Sequence, residues 1–202
     1  MTLAAGILSG TPSKGDRTRQ SLMEAGIVRF AREGFRGTSV SDVCRDAGLS
    51  STASYPYFPN KEALFVACVD DDVANLINES ISMVMVDVEP LHWGRVMMRE
   101  LINGMEQHPL ACRIVSGLEP DFTIRLLDIP ALAELRKAVT ELIRTQQASG
   151  EVRPDIDARQ TANGMVVIVI SLLMATVQTG SAGFDAEADD VESVLSAATR
   201  PF

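Results

Sequence analysis

The chain is predicted to be all-α: an N-terminal three-helix helix-turn-helix unit joined by one long helix to a C-terminal helical bundle, about nine to ten helices in all. Three observations predict it. Apolar residues recur at intervals of three and four along most of the 202 residues. Prolines and glycines cut the periodic stretches into helix-length pieces. No run of alternating β-branched residues bounded by turn signals competes with them.

Residues 1–15, with Gly6, Gly10, Pro12 and Gly15, lack periodicity and are expected to form a flexible arm. A first helix is expected from Asp16, with Leu22, Ala25, Gly26 and Phe30 at helical spacing and Gly34-Phe35 as its stop. A glycine at position 26 costs about 1 kcal/mol against alanine in a helix, so close packing is its expected reason. Thr38 is the expected cap of a second helix, with Asp42 in its first turn, Val40, Val43 and Ala47 on its inner face, and Gly48 as its end. Ser50 would cap a short third segment reaching Tyr55. Asn60 would then cap a long helix whose stripe includes Leu64, Phe65, Cys68, Val69, Val73, Leu76, Ile77 and Ile81. Further helices are expected over 90–107, 109–116, 120–127, 130–149, 157–179 and 186–199. The resulting division is an arm (1–15), a helix-turn-helix domain (16–62) and a larger helical domain (63–202).

Composition narrows the function. Apolar residues make up 46% of the chain, enough for a core without disulfide or metal staples. Cys44, Cys68 and Cys112 are odd in number and lack CxxC spacing, so a reducing cytoplasm is the expected home. The N-terminus lacks the charged start and apolar run of a signal peptide. The longest apolar run, 165–177, is interrupted by Ser171 and reads as a buried helix rather than a membrane span. The net charge of −9 is uneven: residues 1–65 hold eight Lys and Arg against six Asp and Glu, whereas the remainder holds ten against 21. Only the first segment suits phosphate. There is no Gly-rich phosphate loop, HExxH or GxSxG, so neither catalysis nor a cofactor or metal is expected.

Three short helices within about 45 residues, the second and third separated by Ala47-Gly48-Leu49-Ser50, have helix-turn-helix spacing. In that arrangement one helix enters the major groove and its predecessor crosses the backbone. Thr38 and Ser39 open a helix whose free N–H groups and hydroxyls can hold a phosphate. Simple capping is the alternative for both. Ser50, Ser51, Thr52 and Ser54 are small and polar on a segment too short to bury much, and can approach bases or phosphates; a merely solvated helix is the rival. Tyr55, Tyr57 and Lys61 offer hydroxyls, flat faces and a charge to the DNA backbone, while Phe58 belongs to the core. Lys14, Arg17 and Arg19 are candidates for additional contacts from the arm.

The succession Phe30, Gly34-Phe35, Thr38-Ser39-Val40, Ala47-Gly48-Leu49-Ser50, Tyr55, Tyr57-Phe58 and Lys61-Glu62-Ala63-Leu64 resembles the N-terminal signature of the TetR family of transcriptional regulators. The resemblance implies that Thr52, Tyr55, Tyr57 and Lys61 face DNA. Two departures stand out. Pro56 sits where the family continues its recognition helix, and removes a hydrogen bond to the Thr52 carbonyl. Arg29 stands where the family has a leucine.

The resemblance further implies a ligand-responsive regulator, most simply a repressor. It would bind a palindromic double-stranded DNA operator as a homodimer and be released by a small apolar or amphipathic inducer. The helices 157–179 and 186–199 are the expected dimer contact, the former being apolar almost all round. Burial within one chain is the alternative. Trp93, Met97, Met98, Leu101, Met105, Phe122, Leu126 and Met165 are the expected lining of an adaptable ligand chamber, against the alternative that they are ordinary core. His92 and His108 are candidates to fix a polar ligand group. Cys44 is a minor candidate for redox sensing. The rival function is a helical dimeric interaction or ligand-binding protein whose DNA binding has degenerated.

Overall fold

The computed structural model describes residues 13–84, 93–123, 129–180 and 184–201, and among them there are nine helices and no strand. The helices are α1 (Lys14–Gly37), α2 (Val40–Asp46), α3 (Lys61–Val84), α4 (Trp93–Gly104), α5 (Pro109–Val115), α6 (Pro120–Thr123), α7 (Pro130–Ser149), α8 (Ala158–Thr179) and α9 (Phe184–Thr199). Residues 1–12 of the expected arm lie outside the described residues, as do 90–92 and 124–127 at the ends of two expected helices.

α1 begins earlier than its periodicity suggests because Ser13 and Asp16 form a reciprocal capping box. Lys14, Arg17 and Arg19 therefore sit on its first turns, and the Arg19 guanidinium lies 5.4 Å from the centre of the Phe58 ring. Gly34 breaks the helix as expected, at φ 75°, but the chain turns helically once more and leaves at Thr38. The cap of α2 is Ser39, not Thr38. The Ser39 hydroxyl accepts from the Asp42 amide at 3.2 Å, while the Asp42 carboxylate accepts from the Ser39 amide at 3.3 Å. Asn60 caps α3 as expected, accepting from the Ala63 amide at 2.8 Å.

α3 packs against α1, α4, α5 and α7, so the small N-terminal helices and the larger set share it as a spine. Gly26 shows why alanine is missing there: a Cβ would stand 2.6 Å from Cys68 Sγ on α3. Phe30, Phe35, Phe65 and Phe122 form a continuous aromatic cluster, with successive ring centres 4.5–5.1 Å apart. Such edge and tilted contacts add to area burial. Since Phe122 belongs to α6, this cluster fastens the N-terminal helices to the rest.

A second junction is polar. Asp72 of α3 is buried, and its carboxylate accepts from the backbone amides of Leu110 and Ala111 at the start of α5, at 3.0 and 2.8 Å. Its other oxygen meets His108 Nδ1 at 3.0 Å, and His108 Nε2 meets Glu79 at 3.2 Å. An aspartate thus supplies the helix-capping carboxylate that α5 lacks locally. Asp72 is consequently not part of a solvated acidic face.

α8 is long and apolar enough, by length and composition, to cross a bilayer, although the interrupted run 165–177 suggested otherwise. Its inner register of Ala162, Val166, Val169, Leu173 and Thr176 is buried against neighbouring helices. Yet only 28% of its most apolar window is buried.

Candidate nucleic-acid interface

The third helix of the expected unit is not an α-helix. Residues 51–57 form successive turns, with the Ala53 amide donating to Ser50 O at 2.9 Å and the Tyr57 amide to Ser54 O at 2.9 Å. One i to i−4 bond closes the segment, from the Phe58 amide to Ser54 O at 2.9 Å. Pro56 explains the pattern: without an N–H it cannot donate to the Thr52 carbonyl, which accepts a long 3.4 Å bond from Tyr55 instead. The segment is still pinned, because Phe58 is 4% exposed and seated in the core.

These turns divide the candidate residues into two groups. Ser39, Ser50, Ser51, Thr52 and Tyr55 are exposed, Tyr55 to 66%. Tyr57 is half-buried, and its hydroxyl stands 3.6 Å from where a Cβ on Gly15 would be, beside the start of α1. Thr38 and Ser54 are placed differently, at 2% and 0% exposure. Both hydroxyls lie inside, without a hydrogen-bond partner among the described residues. Small size, rather than an outward-facing hydroxyl, is what the two sites use. Their expected role at the surface is therefore not what the geometry offers.

Lys61 also differs from a freely presented phosphate ligand. Its ammonium donates to the carbonyls of Phe35 at 2.9 Å and Thr38 at 3.1 Å, and lies 4.4 Å from the centre of the Phe35 ring. Those carbonyls belong to the turn that leaves α1, so Lys61 ties the end of α1 to the start of α3. Arg29, unexpected at its position, has a related use: its guanidinium makes a paired contact with Asp46, linking α1 to α2. Hydrogen bonding to Arg29 lowers the Asp46 carboxyl below its ordinary range.

Around Ser39 the charges are organised locally. The Asp42 carboxyl is pulled down to about 2, first by the Ser39 hydroxyl, which donates to it at 2.6 Å, then by Arg45. Cys44 is fully buried, which argues against redox sensing there. Burial and the neighbouring Asp71 and Asp72 charges push the Cys68 thiol up to about 12. Neither is exposed for thiolate chemistry.

Residues 22–68 match the family profile described as "Bacterial regulatory proteins, tetR family". Residues 22–68 are thereby similar to the DNA-binding segment of the TetR family. Its similar relatives are regulators rather than enzymes. It is 25% identical over 182 residues to an uncharacterized HTH-type transcriptional regulator, YdgC, of Bacillus subtilis, covering 83% of this chain and 85% of that one. It is 25% identical over 154 residues to the HTH-type transcriptional repressor KstR2 of Mycolicibacterium smegmatis, covering 73% of each. A TetR transcriptional regulator from Chloroflexus aurantiacus shares the fold with a TM-score of 0.67 at 23% identity, over 94% of this chain and 99% of that one. The segment match and the full-length likeness to such regulators together support a DNA-binding transcriptional regulator.

The expected ligand-chamber residues are not gathered in one place. Met97 and Met98 are 0% and 1% exposed within the core. Leu101 and Met105 line a small void of about 40 Å³ with residues of α3, α5, α7 and α8. Phe122 lies in the aromatic cluster, and Leu126 and the Trp93 side chain lie outside the described residues. Met165 alone borders the large cavity, about 540 Å³, between α4, α7, α8 and α9. His108 is occupied by its two carboxylates, and His92 lies outside the described residues.

Sequence reasoning missed that cavity, although it left a signal. Along α7 the buried register runs Leu132, Leu135, Val139, Ile143 and then Gln146, a polar residue where an apolar one is due.

Proposed function

We propose that this chain is a dimeric repressor that holds two half-sites of a palindromic operator and releases them when a small molecule occupies its C-terminal part. The observation that carries this reading is the exposed patch of Ser39, Ser50, Ser51, Thr52 and Tyr55 on a head locked by Lys61, Arg29 and Phe58. Hydroxyls and an aromatic face suit sugar and phosphate contacts, while Ser51 and Thr52, at the tip, are the candidates for base edges. The turns over 51–57 narrow the reading element, so base discrimination rests on few side chains.

Pairing follows from affinity and from α8. One short reading element binds weakly, and two-fold symmetry lets two heads meet successive major grooves about 34 Å apart. The apolar surface that α8 leaves uncovered, including Val167 at 43% exposure, together with Val194 of α9 at 66%, supplies a self-complementary face. Association with a second copy, rather than with a membrane, is the occupant this reading assigns to it. The division into a head over 16–62 and an effector and dimer domain over 63–202 belongs to the same proposal, as does a cytoplasmic location.

The test is a mobility-shift titration of the full chain on the DNA upstream of its own gene, at several salt concentrations. A sequence-selective shift that steepens as salt falls, with two chains per duplex, is expected. A monomer in solution that is indifferent to sequence defeats the proposal.

A further inference from the structure

We propose that His108 carries a proton on both ring nitrogens and acts as a protonation-controlled latch between α3 and the start of α5, with Glu79 as its movable arm. The latch gives the larger helical part a response to pH that needs no ligand; only its effect on DNA rests on the regulatory reading above.

The ring is buried between two carboxylates. Nδ1 lies 3.0 Å from Asp72 Oδ1, and Nε2 lies 3.2 Å from Glu79 Oε2. The second oxygen of Asp72 accepts from the amides of Leu110 and Ala111. An ionised carboxylate only accepts, whereas a neutral imidazole has one nitrogen that donates and one that accepts. A neutral ring would therefore turn a lone pair toward one of the two oxygens. Both contacts are hydrogen bonds when both nitrogens donate, which makes the ring a cation.

The surrounding charges agree with that assignment. Asp72 and Glu79 face the ring from α3. Asp71, next along α3, lies within range of Arg19 and Glu24 of α1. α4 brings the backbone of Gly104 to the ring, where a Cβ would stand 3.9 Å from His108 Cδ2, and Glu106 beyond it is exposed. Arg113 of α5 is paired with Glu119 and reaches α1 at Ala31, and α8 carries no charge after Arg159. With a neutral ring, two like charges would share a largely buried seam without the cation between them.

The two arms are unequal. The Asp72 side chain is 6% exposed and that of Glu79 is 68% exposed. When the ring is deprotonated, Nδ1 keeps its proton for Asp72, which has no water to turn to. Nε2 gives its proton to the solvent, and Glu79 hydrates and leaves. The Glu79 arm is thus closed while the ring is charged and is lost as pH rises through the loss of the Nε2 proton. α5 is seven residues long, and its other end holds Phe35 and Ala31 of the head through Glu119 and Arg113. A loosened start of α5 therefore bears on the head.

Thermal unfolding of the full chain and of Glu79→Gln, from about pH 5.5 to about pH 8.5, tests the latch. Glutamine keeps the size of an exposed side chain and removes its charge. The native chain is expected to exceed the variant in Tm by roughly 1–3 °C at the acid end, and the difference to vanish at the alkaline end. Nitrogen NMR of the imidazoles, assigned with His92→Gln, is expected to show both His108 nitrogens protonated at the acid end and only Nδ1 protonated at the alkaline end.

A Tm difference that is absent or independent of pH overturns the proposal. So does a His108 ring that is neutral at the acid end, or one that keeps its proton on Nε2 at the alkaline end. Operator affinity on the same samples is expected to vary more with pH in the native chain than in Glu79→Gln, and equal variation overturns the link to the head. A latch seen in both other readouts, with no operator binding at any pH, sinks the regulatory reading and leaves the latch standing.

Discussion

Replacing Lys61 by methionine separates two roles for a residue whose sequence position suggests a phosphate contact. In the fold its ammonium satisfies two carbonyls, of Phe35 and Thr38, and sits 4.4 Å from the Phe35 ring centre. Methionine retains much of the apolar stem but leaves both carbonyls without this donor. Each charge-assisted bond is worth up to about 1.5–3 kcal/mol when buried. Lys61 is only half-buried and water can partly replace it, so a net loss of about 2 kcal/mol is the reasonable figure. For a chain of this size that lowers Tm by roughly 4–8 °C. The assay is paired: thermal unfolding by circular dichroism without DNA, and the salt dependence of operator binding. The clamp role predicts the Tm loss, with DNA affinity falling through a loosened head. A Tm unchanged within a degree, together with a salt slope reduced by about one phosphate, would falsify the clamp and restore the direct contact.

Tyr55→Ala removes a side chain that is 66% exposed and makes no core contact worth naming, so stability should hold while operator affinity drops roughly five- to tenfold, as fluorescence anisotropy would read. Gly26→Ala places a methyl 2.6 Å from Cys68 Sγ between α1 and α3, and should cost about 1–3 kcal/mol in urea unfolding despite alanine's better helix propensity; a stabilised variant contradicts the close-packing account. Asp42 titrates at about 2 when folded and near its ordinary value of 3.8 when unfolded, so its stabilisation is full above that value and fades as pH falls toward 2. Asp42→Asn should flatten this part of the acid unfolding profile, and an identical profile in both proteins would remove the capping box from the account.

Local chemistry made much of this fold readable. The Gly34 break, the Asn60 cap and the proline starts of α5 and α7 depend on residues within a few positions of each other, so one sequence carries the whole signal. The same holds for the outward Ser50, Ser51, Thr52 and Tyr55, which follow from a short segment held by Phe58. Pro56 was legible as a disturbance, but whether it would kink or dissolve the helix depended on Phe58 and Ser54 being drawn inside. Placement across the chain was the hidden part. Lys61 looked available because its partners are carbonyls 23 and 26 residues earlier, and backbone acceptors leave no trace in side-chain identity. The methionines of α4 suit a chamber because methionine adapts to irregular shapes, and that same adaptability lets Met97 and Met98 pack into the core, with only a small space of about 20 Å³ beside Met98.

The head and the larger helical part are joined by a contact that neither could satisfy alone. At Gly34 the α1 backbone turns to φ 75°, and a Cβ there would stand 2.5 Å from the Arg113 guanidinium of α5. Glu119, only 8% exposed, accepts at one oxygen from both the Phe35 amide at 3.0 Å and Arg113 Nε at 2.8 Å, while Arg113 reaches the Ala31 carbonyl at 3.4 Å. The broken end of α1 is thus completed by a half-buried ion pair from the segment 113–119. Pulling that segment away leaves an amide and two half-buried charges without these partners, which is costly, so the head is held to α5 rather than hinged freely on α3. The opposite end of α5 is held as firmly, by Asp72 accepting from two amides. A short helix fixed at both ends by buried carboxylates transmits displacement instead of absorbing it. The part of the body that can yield is therefore the one with unfilled volume and unpaired donors, between α7 and α9.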